Sequence, residues 1–255
     1  MREPTNTLVV GFDSTAIVEH IPRQGFLFID DDPIPVARRA TAFDFKTDSF
    51  NPLKDMNHIR AAEFIAVLDA IFPEGSATLT RRYSNHILFK QLLEKPDRLS
   101  DMIVRSKDPY ERDASERIER LLLSPVLKRV LNRPSNFSTK GTITAQLPRA
   151  EIGDFDAFVL GNMLISQFRG AIIVPDFSFY AHKEHAALIR QNRLIAGITS
   201  FEGVSVLRDQ FLTIPKKIAS QATPEDAEIL GIYAGLIPGT DGHTTFVQNA
   251  IRPRH

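Results

Sequence analysis

Three groups of residues stand close enough in the sequence to do chemistry. Asp30, Asp31 and Asp32 line up three carboxylates, the donor type that hard divalent cations select. Successive side chains on a strand point to opposite faces, so a strand or turn terminator is favoured over a cation cluster. His182 and His185 are three apart and share a helix face, with Glu184 between them. Zinc takes three or four ligands, and no further one follows at motif spacing. A surface pair beside a loop is the favoured reading. Arg81 and Arg82, with Asn85, His86 and Lys90 on following turns, form a basic helix face, and Lys128, Arg129 and Arg133 form a second small group. Either group suits a phosphate or a neighbouring protein. Solvated charge is the ordinary reading, and aromatic interleaving of the kind that stacks bases is not evident.

Several chemistries are excluded. The chain has no cysteine, which removes disulfides, thiolate metal sites and a thiol nucleophile. There is no G-x-S-x-G elbow and no G-x-G-x-x-G after a strand. There is also no G-x-x-x-x-G-K-[ST], the loop that cradles phosphates. The 31 basic and 31 acidic residues cancel, giving a net charge of zero and no global pull towards nucleic acid. The 255 residues, 43% hydrophobic and 24% charged, are ample for a globular core. No apolar run approaches the roughly 20 residues needed to cross a bilayer, and no signal-like stretch follows the N-terminus. A cytoplasmic location is the default expectation.

The elements that position these residues alternate between strand and helix. Strands are expected over 7–11, 25–30, 39–45, 141–148, 170–174, 193–199 and 211–215. Four of them are short apolar runs without polar alternation, which marks strands covered on both faces. Helices are expected over 14–20, 57–72, 78–94, 110–131 with a break at Pro125, 154–167 with a cap at Gly153 or Asp154, 182–191, 204–209, and 224–234 capped by Thr223. A helical turn is expected within 99–107. Ile59, Ala62, Phe64, Ile65 and Leu68 are assigned to the inward face of 57–72, Leu79, Tyr83, Ile87, Leu88 and Leu92 to that of 78–94, and the charged span 106–120 to a solvated face. The order implies an α/β fold: a mostly parallel sheet with helices on both faces. The helices of 57–135 exceed what one crossover needs and read as an insertion within a single domain over 1–255.

Four segments carry a resemblance. Ala42-Phe-Asp-Phe-Lys-Thr-Asp-Ser-Phe-Asn-Pro-Leu, Ala171-Ile-Ile-Val-Pro-Asp-Phe, Arg193-Leu-Ile-Ala-Gly-Ile-Thr-Ser and Ala222-Thr-Pro-Glu-Asp-Ala-Glu-Ile-Leu occur in the order of core segments of the HerA/FtsK/VirD4-type ATPases. Those are ring-forming P-loop motors that move DNA on a RecA-like sheet. The chain resembles that superfamily over most of its length.

The resemblance implies a nucleotide site and also its loss. It puts Gly11, Ser14 and Thr15 in the phosphate loop, Asp176 at the magnesium-organising acid and Thr199, or Ser200, at the polar sensor. Ala16 stands where the second glycine belongs, Ile17 where the lysine belongs and Val18 where the metal-binding hydroxyl belongs. Phe177 replaces the acid that positions water. Isoleucine and valine supply neither cation nor metal ligand. Asp176 then has two readings, a retained metal-facing acid or a strand-end residue that caps a turn, and the second is favoured. The implied protein is a degenerate relative of the DNA-translocating ATPases, acting as a non-hydrolysing scaffold or regulatory partner. No cofactor is expected, with ATP and Mg2+ only if the site works. The implied partners are an active homologous subunit or further copies of the chain, with DNA a weaker expectation. An active ATPase of atypical design, and an unrelated α/β enzyme or binding protein, stay open.

Overall fold

The computed structural model describes residues 6–11, 17, 21–32, 40–72, 78–214, 216–220, 222–230 and 245–248. The expected helix 14–20, apart from Ile17, lies outside them, as do Ser14, Thr15, Ala16, Val18 and the end of the helix expected over 224–234.

The chain divides into two compact units. The first holds 1–41, 141–144 and 170–255, and the second holds 42–140 and 145–169. Among the described residues the strands are β1 (Thr7–Val10), β2 (Phe26–Asp30), β3 (Thr41–Phe43), β4 (Ile143–Gln146), β5 (Ala171–Val174), β6 (Leu194–Ile198), β7 (Lys216–Ser220) and β8 (Thr245–Gln248). Their order in the sheet is β3-β4-β2-β5-β6-β1-β7-β8. The pairs from β2 to β7 are parallel, and β8 is antiparallel to β7. The fold is α/β with a parallel central sheet. β1, β5 and β6 are buried at every position, which explains why their sequences do not alternate.

The helices of the second unit are α1 (His58–Ile71), α2 (Thr78–Leu93), α3 (Pro109–Leu122), α4 (Pro125–Leu131), α5 (Arg149–Ile152) and α6 (Asp154–Gln167), with a 3₁₀ turn at Leu99–Met102. Local chemistry starts them. Asn57 accepts from the amides of Ile59 and Arg60, and Asp108 from those of Tyr110 and Glu111. Ser124 accepts from Leu127 N–H, and Pro109 and Pro125 fill first-turn positions that need no amide proton. The expected long helix over 110–131 is therefore two. Gly153, at φ 84°, precedes α6 in a conformation that side chains other than glycine rarely adopt.

Two helix faces match expectation at Phe64, Ile65, Leu68, Leu88 and Leu92 and differ elsewhere. The inner stripe of α1 is Ala61, Phe64, Ile65 and Leu68, which leaves Ile59 exposed. On α2 the buried positions are Ser84, Leu88 and Leu92, and Leu79 and Tyr83 are exposed. The first unit adds α7 (Phe177–Tyr180), 3₁₀ turns at Lys183–His185 and Glu202–Leu207, α8 (Ala186–Arg190), α9 (Arg208–Leu212) and α10 (Pro224–Ile229). Of the strand expected over 211–215, Phe211 and Leu212 are instead the end of α9, Thr213 and Ile214 follow it outside any strand, and β7 starts at Lys216. A four-residue apolar run does not distinguish strand from buried helix by periodicity. Phe211 uses its burial to meet the Phe177 ring edge-on, 5.8 Å away.

Candidate functional site

In open parallel sheets, ligands bind at the carboxyl ends of the strands. The first unit brings several of the expected site residues to that edge. Gly11 follows β1, Asp30 ends β2, Asp176 stands two residues past β5, and Thr199 and Ser200 follow β6. The registers Val10↔Ile198 and Val174↔Ala196 hold these ends side by side. Gly11, at φ 115°, donates its N–H to Ile198 O at 2.8 Å and turns the chain off the sheet.

Asp176 occupies the N-cap position of α7, but its side chain makes no capping hydrogen bond there. Of the expected turn or helix cap, the helix cap is therefore not made by its carboxylate. Thr199 N–H points at Ser178 Oγ at 3.4 Å. Asp30 is half-buried. Burial pushes its carboxyl up, while the Asp31 amide, 2.8 Å from Oδ1, pulls the other way. Among the described residues no group of three or more His, Asp or Glu side chains is arranged to hold a metal ion.

Ile17 is fully buried. It belongs to a core with Val9, Phe26, Phe28, Ala171, Ile173, Ile195 and Ile218, so it draws on β1, β2, β5, β6 and β7. Burying such a side chain contributes roughly 2 kcal/mol.

Two residues that sequence reasoning missed shape this edge. A Cβ on Gly197 would lie 2.0 Å from Pro175 O and 2.9 Å from Ile17 Cδ1. β6 can pass the end of β5 only because position 197 has no side chain. Gly197→Ala is expected to cost roughly 3 kcal/mol, the upper end of overpacking, because the obstacle is backbone. A urea unfolding midpoint equal to that of the unchanged chain would refute a rigid contact. Asp226, buried on α10, accepts Phe201 N–H at 2.9 Å through Oδ1 and Thr223 Oγ–H at 2.9 Å through Oδ2. It anchors the segment that leaves Thr199 and Ser200. The signal for it was the spacing of Thr223 and Asp226, which is that of a capping box.

The histidine pair is not on the surface. His182 and His185 are 9% and 5% exposed, and their ring centroids are 3.8 Å apart. They lie on one 3₁₀ turn, whose side chains three apart eclipse. Phe177 packs on His185 at 5.1 Å. Burial, helped by Lys183, pushes His182 down to about 4. Burial, then His182, holds His185 well below its ordinary value.

In the second unit the basic face of α2 divides. Arg82, His86 and Lys90 are exposed, with Leu79 and Tyr83 beside them, and Tyr83 meets the Tyr110 ring at 5.0 Å. Arg81 and Asn85 turn inward instead. Asp69 on α1 accepts from Arg117 Nη2 at 2.7 Å, Arg81 Nη1 at 3.4 Å and Asn85 Nδ2 at 2.8 Å, and Asn85 Oδ1 accepts from Arg117 Nη1 at 2.5 Å. Arg117 is 2% exposed, so the charged span 106–120 is not wholly solvated. In the second basic group, Lys128 and Arg133 are exposed while Arg129 donates to Phe45 O at 2.7 Å.

The fold has counterparts among solved structures. VirB4 of Thermoanaerobacter pseudethanolicus matches 90% of this chain and 81% of its own, at 12% identity and a TM-score of 0.54. The plasmid coupling protein TrwB, solved in complex with the non-hydrolysable ATP analogue ADPNP, matches 86% of this chain and 71% of its own, at 11% identity and a TM-score of 0.49. The VirB4 likeness defines the class of fold, an α/β fold shared over most of both chains, and no finer identity. No protein-family model and no curated protein matches the sequence. No helix among the described residues is long and apolar enough to cross a membrane.

Proposed function

We propose that the chain is a non-hydrolysing relative of the DNA-translocating and secretion ATPases, acting as a scaffold or regulatory partner of an active subunit or of further copies of itself. In this reading it is one P-loop-like domain with the helices of 57–135 inserted, and Gly11, Ser14 and Thr15 trace the former phosphate loop. Asp176 and Thr199 keep the positions of the magnesium acid and the sensor.

One observation carries the proposal. Ile17, where the phosphate-binding lysine would stand, is 0% exposed in the core under the sheet. A lysine there must reach into the ligand space to neutralise phosphate charge. A side chain held among Phe26, Phe28 and Ile195 has no such reach. The fold likeness to VirB4 supports the class, and the register that aligns the ends of β1, β5 and β6 supports the common origin of the edge.

The test is magnesium-dependent ATP binding and hydrolysis, with and without DNA. Turnover is expected to stay at background in both conditions and to be unaffected by Asp176→Asn. Tight ATP binding with turnover that Asp176→Asn abolishes would overturn the proposal in favour of an active ATPase of atypical design.

A further inference from the structure

His182 and His185 are the least comfortable polar groups in the first unit. Both are at least nine-tenths buried. Both nitrogens of His182 and Nδ1 of His185 lie in the interior with no hydrogen-bond partner among the described residues. A neutral imidazole carries one N–H and one acceptor, so His182 leaves both needs unmet. The arrangement suits two neutral rings tilted 39° to one another and opposes charge. A proton on His182 would be a buried cation with no acceptor among the described residues, and a second, on His185, would lie in a ring centred 3.8 Å from the first.

The charged residues of the turn are Lys183, which is exposed and repels a ring cation, and Glu184. On the elements packed nearby, Glu202, Arg208, Asp209 and Arg190 are exposed, and the titratable group of α7 is the buried Tyr180. Against His185 stands the apolar ring of Phe177, itself fully buried and adjacent in sequence to Asp176. α7 also packs against β6, and its Ser178 Oγ faces Thr199 N–H.

We propose that the tilted His182–His185 pair is an acid-operated latch: when protons reach the two rings, the segment from Phe177 to Arg190 unseats and loosens the turn after β5 that carries Asp176. The latch does not depend on nucleotide chemistry. The sign follows from the two states. The opened segment binds protons near the ordinary histidine value of 6.5, and the closed segment resists until about 4 at His182. The latch is fully closed above 6.5 and loses stability as pH falls from there towards 4. Linkage through His182 alone gives about 30-fold more opening at pH 5 than at pH 7.5.

Hydrogen–deuterium exchange of the full chain, expressed as protection factors, tests this. Peptides covering 177–190 are expected to lose at least about tenfold in protection between pH 7.5 and pH 5. The double variant H182L/H185L is expected to keep its protection at both. Equal wild-type protection at the two pH values, or the same loss in the double variant, would overturn the latch. Should the double variant not fold, ring nitrogen NMR of the wild-type chain decides. Rings that stay neutral through pH 5.5 in the closed state uphold the latch, and rings that titrate near 6.5 with protection intact refute it.

Discussion

Ile17→Lys is expected to destabilise the sheet-bearing unit and to restore no ATP hydrolysis. The substitution rebuilds the cation of the phosphate-binding motif at its own position, so a purely motif-based reading expects gain of function. The packing opposes it. Removing a buried isoleucine costs about 2–5 kcal/mol. An ammonium left among Val9, Phe26, Phe28, Ile173 and Ile195 adds several more unless it neutralises or tunnels to water. The total is about 4 kcal/mol or more, against a whole-domain stability of roughly 5–15 kcal/mol. Urea unfolding by circular dichroism would register it as a large drop in midpoint or as insoluble protein. Ile17→Val, which keeps the site apolar, should cost only about 1 kcal/mol. A stable Ile17→Lys protein that binds ATP with magnesium would count against a sealed loop and against the non-hydrolysing proposal.

The second large effect lies in the helical unit. Asp69→Ala is expected to cost about 3 kcal/mol, more than most changes to a side chain that is 31% exposed. Its partner explains the excess. Arg117 has a side chain only 3% exposed, and burial pushes its guanidinium down to about 10, with Asp69 opposing. It therefore remains charged at neutral pH and depends on Asp69 and Asn85 for compensation. Its Nε has no hydrogen-bond partner among the described residues, which leaves little reserve. Water entering beside Asp69 keeps the cost at the lower end of the range for broken buried pairs. Replacing both partners, as in D69L/R117M, is expected to recover part of the loss, because the buried guanidinium is gone while Arg81 and Asp113 stay charged beside the site. Guanidinium unfolding followed at 222 nm reads both. A cost below about 1 kcal/mol for Asp69→Ala would mean that water already satisfies Arg117.

Much of the sheet was legible because its strands are apolar throughout. Leu8 to Val10, Phe26 to Ile29, Ala171 to Val174 and Leu194 to Ile198 are buried on both faces, and a run of that kind has few other uses. β7 was not legible, because Lys216 and Lys217 give it the look of a loop while the neighbouring Phe211 to Ile214 look like a strand. The helix faces of α1 and α2 were read correctly at Phe64, Ile65, Leu68, Leu88 and Leu92 and misread at Ile59, Leu79 and Tyr83 for a related reason. Polar residues took inner positions as a linked set, Asp69 with Asn85 and Arg117, so hydrophobic spacing pointed one residue away from the true interior. The histidine pair failed similarly: residue type suggested surface, and only the aromatic run Phe177 to Tyr180 beside it hinted at burial. At the candidate site, Gly11, Asp176 and Thr199 were named by the resemblance, and each stands just past the end of an apolar run. Gly197 and Asp226 act through contacts with Pro175 and Phe201, and no local pattern encodes a contact across strands.

The sheet order has a consequence for how this chain is made. β1 is enclosed by β6 and β7, whose residues are synthesised some two hundred positions later. Until they arrive, a fully apolar strand waits with both of its edges open, the state most prone to pairing with the wrong neighbour. Long-range closure of this kind also slows folding. Fragments ending before about residue 220 should therefore aggregate, and holdase chaperones should find in the nascent chain a long-lived client.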